Sequence, residues 1–330
     1  MTNRERFRRV LRFQPADRLP VVEWAPYWDK TLDRWYAEGL PCELKDNGEI
    51  MEYFGLDPVY RYRMGPRASS CPGPARNGAG LISDRDDYLA IKRHLYPEPA
   101  FDPELLAKLA ERQRRGELVV WAVLEGFFWF PRTLFGIEPH LFAFYDQPDL
   151  MKEMNEDLLA HNLRVIDQFR EICEPDFLVF NEDMSYNHGP MLSKAQFDEF
   201  IAPYYRRLIP EALERGIIPF VDSDGDVTEP VAWHTEVGVQ GFLPFERMAG
   251  VDVVRIREAH PSLRIIGAFD KTVMHRGELR MRQEFERLLP IMRQGGFIIG
   301  VDHQTPPEVS LEDYRLYVRL LREYCERAAG

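Results

Sequence analysis

Cysteine is scarce in this chain, and none of it is clustered: Cys42, Cys71, Cys173 and Cys325 lie far apart with no CxxC pair. That excludes a zinc knuckle and a dense disulfide framework, and a reducing cytoplasm is the expected setting. No apolar run approaches the ~20 residues of a membrane span. The opening MTNRERFRRVLRF is charged and helix-like rather than a basic stub followed by an apolar stretch, so neither secretion nor membrane embedding is expected. Positive charge is also in deficit, with 42 Lys and Arg against 54 Asp and Glu and a formal charge of -12. Such a surface repels phosphate backbones and anionic lipid, which removes nucleic acid and membranes from the expected partners. Low-complexity tracts are missing, as is any short repeat beyond an alternation of strand and helix.

What is present is an ordinary globular composition, 45% hydrophobic and 29% charged over 330 residues, which predicts a chain folded throughout. Thr2 and Glu5 form a capping box ahead of Phe7, Val10 and Leu11, so the chain opens with an amphipathic helix expected to cover the bottom or side of the fold. Apolar segments at 19–24, 58–63, 118–124, 177–180, 217–221, 241–245, 263–268 and 297–301 read as strands. Three- and four-residue apolar spacing at 149–171, 193–215, 227–236, 252–260, 278–293 and 310–326 reads as helices, with Ser193 and Ser310 as N-caps. Eight strands alternating with helices is the number that closes a parallel barrel. The expectation is an α/β fold, a TIM-type (β/α)8 barrel, with residues 1–330 as one domain carrying an N-terminal helical extension. A doubly wound open sheet would need a GxGxxG turn after its first strand, and Glu23-Trp24-Ala25-Pro26 is no such turn.

A carboxylate stands where nearly every expected strand runs out: Glu23, Glu125, Glu182 with Asp183, Asp222 with Asp224, Glu246, Asp270, and Asp302 beside His303. In a barrel these ends converge on one rim, where such folds build their sites. Of Glu182 and Asp183, one should look into the mouth, because successive strand residues face opposite sides. Asp222-Ser223-Asp224 puts two carboxylates on one side of an extended segment, which suits a shared metal or a cation, although EF-hand spacing is missing. Asp226 is better suited to start the following helix. His303 is the residue able to bind metal or carry a proton. Trp24, Tyr27 and Trp28 would form a substrate wall or else pack as aromatic core, Phe128 would add to an apolar wall, and Tyr186 lies in the polar loop after Asp183. Arg61, Arg63, Arg67 and Arg76 would face an anionic substrate, solvated surface charge being the simpler account. Crowded carboxylates must bind metal, pair with Arg or Lys, or hold a proton.

These strand ends also carry a resemblance. Phe220-Val221-Asp222-Ser223-Asp224-Gly225, Gly250-Val251-Asp252-Val253-Val254 and Gly267-Ala268-Phe269-Asp270 resemble segments of uroporphyrinogen decarboxylase and the related cobalamin-dependent methyltransferases. Asp302-His303 sits where the decarboxylases carry Gly-His-Gly and the methyltransferases a zinc-ligating Cys. The resemblance implies a (β/α)8 barrel over essentially the whole chain. Two departures stand out. The Arg-Gln-Ala-Gly-Arg segment that holds substrate carboxylates in the decarboxylases is replaced here by Trp24-Ala25-Pro26-Tyr27-Trp28. The zinc thiolates of the methyltransferases are replaced by Asp222, Asp224 and Asp302 or His303, an oxygen-rich set with one imidazole that still suits zinc, manganese or magnesium. The function expected from the resemblance is methyl transfer between a small substrate and a corrinoid held by a separate protein. Asp222, Asp224 and His303 would place a divalent metal, zinc first. Glu182 or Asp183 would protonate the leaving group, while Glu23, Trp24, Tyr27, Glu125, Phe128, Tyr186, Glu246 and Asp270 would hold substrate. A cofactor-free decarboxylase, favoured if the arginines reach the mouth, and a non-catalytic barrel binding a cationic ligand remain as alternatives. A homodimer is left open.

Overall fold

The computed structural model describes residues 1–329. Its centre is an all-parallel sheet of seven strands, β1 (Val59–Arg63), β2 (Val119–Glu125), β3 (Phe177–Asn181), β4 (Pro219–Asp222), β5 (Gly241–Leu243), β6 (Arg264–Phe269) and β7 (Phe297–Val301), each paired with the next in sequence. Helices return the chain between strands, the longest of them Pro148–Ile172, and a further long helix, Leu311–Ala329, follows the last strand. Because side chains and helices cover both faces, strands such as β2, β3 and β7 are buried almost throughout, which is why they read as continuous apolar runs; β1, at the edge, alternates instead. At the N-terminal end of the sheet the first helix, Asn3–Leu11, delivers Phe7 onto Phe177 with ring centroids 5.6 Å apart, and Trp121 and Phe220 pack around Phe177 at 5.1 and 5.2 Å. The opening helix therefore plugs the bottom, and Thr2 caps it through the Glu5 N–H.

The expected eighth strand, 19–24, is not a strand. Its residues pass between the two edge strands, β1 and β7, without forming a ladder with either. Two local features prevent pairing. Pro20 has no N–H to donate, and the Val301 N–H at the end of β7 points to the Glu23 carboxylate, at 3.3 Å, rather than to a backbone carbonyl. The segment is tied instead by single contacts: the Leu19 N–H to the Cys325 carbonyl at 3.0 Å, the Asp57 N–H to the Val21 carbonyl at 2.7 Å, and a two-pronged Arg18–Asp57 ion pair at 2.6 Å. The helix expected over 193–215 is split into Lys194–Phe200 and Ala202–Glu214, because Pro203 cannot continue a hydrogen-bond ladder and favours the start of a new helix. Ser193 caps the first half in a capping box with Gln196. Among the described residues no helix is long and apolar enough to cross a membrane.

Candidate active site at the strand ends

Register decides which side chains meet. Glu125, Asn181, Asp222 and Leu243 lie level on four adjacent strands, so the polar residues at and just past that level share one end of the sheet. The pleat then sorts Asn181-Glu182-Asp183. Glu182 turns outward, where its carboxylate accepts the N–H groups of Phe127, Phe128 and Trp129 at 2.9, 2.8 and 3.1 Å and the Tyr205 hydroxyl at 2.7 Å. It anchors the start of the helix Trp129–Phe135 and is fully buried; burial pushes its carboxyl up to about 7 against those four donors. A Cβ at Gly126 would meet that carboxylate at 2.3 Å, so the turn tolerates glycine alone.

Asp183 looks into the mouth. Its Oδ1 accepts the Asp224 N–H at 3.1 Å, and burial, reinforced by the Asp224 charge, pushes its carboxyl up to about 6. Asp222 is raised well above the ordinary range by burial first and then by Asp183 and Asp224, with Arg61 and Arg63 pulling the other way. Beside this trio, one ligand atom each from Asp224, Glu246 and His303 lie within 4.8 Å of one another. His303 Nε2 is 3.5 Å from Asp224 Oδ2, and that contact raises the imidazole above its ordinary value despite burial. Glu246 is fixed by the Gly225 N–H at 2.9 Å and by Lys271 Nζ at 3.2 Å. Asp302 sits behind them, accepting the Arg247 and Lys271 N–H groups at 2.8 and 3.1 Å, and burial pushes it up to about 6.

The mouth thus gathers Asp183, Asp222, Asp224, Glu246 and His303, as the strand-end pattern predicts, but the three-residue cation set contains Glu246 in place of Asp222. Other expected site residues are engaged elsewhere. Glu23 is buried against the Trp24 and Val301 N–H groups and the Tyr317 hydroxyl. Tyr27 bonds the Tyr314 hydroxyl at 2.7 Å inside an aromatic cluster with Trp35 and Phe54. Phe128 packs on His140 and Phe144, as core. Asp270 caps the short helix Lys271–Arg276 through Thr272, and Glu125 pairs with Arg63 at 3.2 Å. Tyr186 is exposed on a two-stranded hairpin. Trp24, its indole bonded to the Val301 carbonyl, does line a cavity.

Cations are the part of the mouth that the strand-end pattern underweights. Arg61 and Arg63 act electrostatically on Asp222, Arg132 donates to the Asp183 carbonyl at 3.0 Å, and Lys271 joins Glu246 to Asp302. For the first two a signal was available: Tyr60-Arg61-Tyr62-Arg63 alternates, and Tyr62 packs outward on Phe169 of the helical layer, which commits both arginines to the inner face. Arg132 had no such signal, since it reaches the mouth from the helix after its strand, and Lys271 had only its place beside Asp270 at a strand end.

A family model described as uroporphyrinogen decarboxylase (URO-D) matches residues 86–324. Among solved structures, a methyltransferase from Methanosarcina mazei superposes with a TM-score of 0.63 at 15% sequence identity, over 98% of this chain and 99% of that one. A D-psicose 3-epimerase solved with D-fructose gives a TM-score of 0.42 at 11% identity, covering 86% of this chain and 92% of that one. A 3-keto-D-glucoside 4-epimerase from E. coli gives 0.41 at 14% identity, over 79% of this chain and 99% of that one. No curated protein matches the chain by sequence. The methyltransferase likeness concerns the fold.

Proposed function

This chain belongs to the uroporphyrinogen decarboxylase (URO-D) family, and from that premise we propose that it is a barrel enzyme moving a methyl group between a small substrate and a corrinoid carried by a separate protein. The observation that carries this reading is the convergence of Asp224, Glu246 and His303 within 4.8 Å. Two carboxylates and one imidazole fit a divalent cation of the zinc, manganese or magnesium class, and they leave room for further ligands. A cation held there would supply Lewis-acid activation of a substrate heteroatom. The fold shared with the Methanosarcina mazei methyltransferase supports the same class.

The chain's own residues then divide the work. Asp183 and Asp222, both raised above the ordinary carboxylate range by burial and by their neighbours' charge, are the groups placed to give a proton to the departing heteroatom. Lys271 holds Glu246 and Asp302 in place through its ammonium group. The test is elemental analysis of purified protein together with methyl transfer to an added corrinoid protein. Stoichiometric metal that is lost in Asp224→Ala supports the reading, and metal content indifferent to that substitution refutes it.

One observation favours a second reading, cofactor-free decarboxylation. Arg61 and Arg63 act electrostatically on Asp222, and Arg61, which has no carboxylate partner, is able to seat a substrate carboxylate while Asp222, when protonated, returns a proton to the carbon that CO2 leaves. Release of CO2 from a carboxylated substrate by chelator-treated protein would select it. A purely cation-binding barrel is disfavoured by the same arginines, with Lys271 and Arg132, which offset the acidic groups.

A further inference from the structure

Nearly every arginine in this acidic protein that leaves the solvent finds a carboxylate or a carbonyl; Arg61 does not. Its half-buried guanidinium makes no hydrogen bond or ion pair with any described residue and lies over the Trp121 ring, 5.8 Å from the centroid. It lines a cavity of about 220 Å³ at the seam where residues 19–26 pass β1 without pairing, with Trp24, Tyr60, Trp121 and Glu23 among its walls. Its N–H groups stay open to the cavity, so the fork is free to pair with an incoming anion without first breaking a bond inside the protein.

We propose that this cavity is a subsite for the carboxylate of a planar, monoanionic substrate, an aromatic or heteroaromatic acid whose ring lies against Trp24 and Trp121. The inference deepens the proposed function by naming the substrate class, and it rests on the reading of the strand ends as the active site. The guanidinium fork matches a carboxylate in two-pronged geometry. One negative charge is what the surroundings admit. Arg61 is the one cation among the described residues lining the cavity, and the exposed carboxylate of Asp46 on the same lining opposes any second anionic charge. Glu23 offers no such opposition: its carboxyl is held by the Trp24 and Val301 N–H groups and the Tyr317 hydroxyl, and burial pushes it up to about 8, so it is neutral at pH 7. Two indoles supply flat apolar walls for a ring of modest size. The cation belongs to β1 and not to the residues after Glu23, where the decarboxylases keep their arginines and this chain has Trp24-Ala25-Pro26.

The test uses benzoate as probe, benzamide as its neutral isostere and phenyl phosphate as the dianion, with binding followed by tryptophan fluorescence and titration calorimetry at pH 7. Benzoate is expected to bind with Kd near or below about 1 mM, at least tenfold tighter than either congener, and Arg61→Gln is expected to remove that preference. Since Arg61 has no hydrogen bond or ion pair to lose and only its contact with the Trp121 ring, the variant should melt within a few degrees of the parent. If it fails to fold, the benzoate and benzamide comparison on the parent protein still decides. Equal binding of benzoate and benzamide, no binding of benzoate, tighter binding of phenyl phosphate, or a preference that survives Arg61→Gln overturns the proposal. No turnover or metal is needed, so its failure is separable from failure of the methyl-transfer reading, which metal content and corrinoid methylation judge.

Discussion

At the scale of single residues, Asp224 touches three chemistries at once: its N–H steadies Asp183, its carboxylate meets His303, and the same carboxylate completes a triangle with Glu246. The sequence offered Asp222 for that triangle because Asp-x-Asp spacing puts both carboxylates on one side of an extended segment. In the folded chain Asp222 is the last residue of β4 and lies level with Glu125 and Asn181, whereas Asp224 lies in the loop beyond it, where Glu246 arrives. Glu246→Ala should therefore weaken cation binding at least tenfold in a chelator competition, while Asp222→Asn should leave it within about threefold; the reverse order would restore the set that the spacing suggests. Proton chemistry gives a second expectation. Asp183 is lifted to about 6, so a rate that needs its proton falls as pH rises through 6, and Asp183→Asn should flatten that limb of the profile.

At the scale of elements, strands and helices were legible because their signals are local: buried parallel strands are short apolar runs, and helices carry three- and four-residue spacing with caps such as Ser193. Facing was legible only as a choice of two. Alternation says that Glu182 and Asp183 face opposite ways, and nothing in the sequence says which way Asn181 points. The structure gives Glu182 to the helix Trp129–Phe135, whose first N–H groups have no partner within the helix. Glu182→Ala would orphan the Phe127, Phe128 and Trp129 N–H groups in a buried turn, and a loss of about 3 kcal/mol or more is expected by chemical denaturation. Tyr205→Phe removes one bond to the same carboxylate and should cost about 1 kcal/mol. A Glu182→Ala protein as stable as its parent would contradict the anchoring role.

At the scale of the whole molecule, the seam between β1 and β7 is where the barrel expectation meets its departure, and it is held by side chains more than by a ladder. Glu23 is the group whose ionisation the seam opposes. Burial raises its folded-state carboxyl from 4.5 to about 8, so the native state keeps a proton that the unfolded chain releases. This contribution to stability is complete below pH 4.5 and is lost as pH rises through 8, at about 1.4 kcal/mol for each pH step between those two values. Glu23→Gln should therefore gain on the parent by a few kcal/mol between about pH 5 and 8.5, and an unchanged difference between the two proteins would refute the assignment. The sequence by itself determined the alternating α/β order, the segments that form the seven strands and the carboxylates at their ends, because each depends on neighbours a few residues away, but it also counted 19–24 as an eighth strand. Only the tertiary structure decided which carboxylates share a site, which residues brace the core, and that Arg61 stands unpaired across a cavity from Glu23. Those facts depend on strand register and on contacts between segments tens to hundreds of residues apart, which local pattern does not encode.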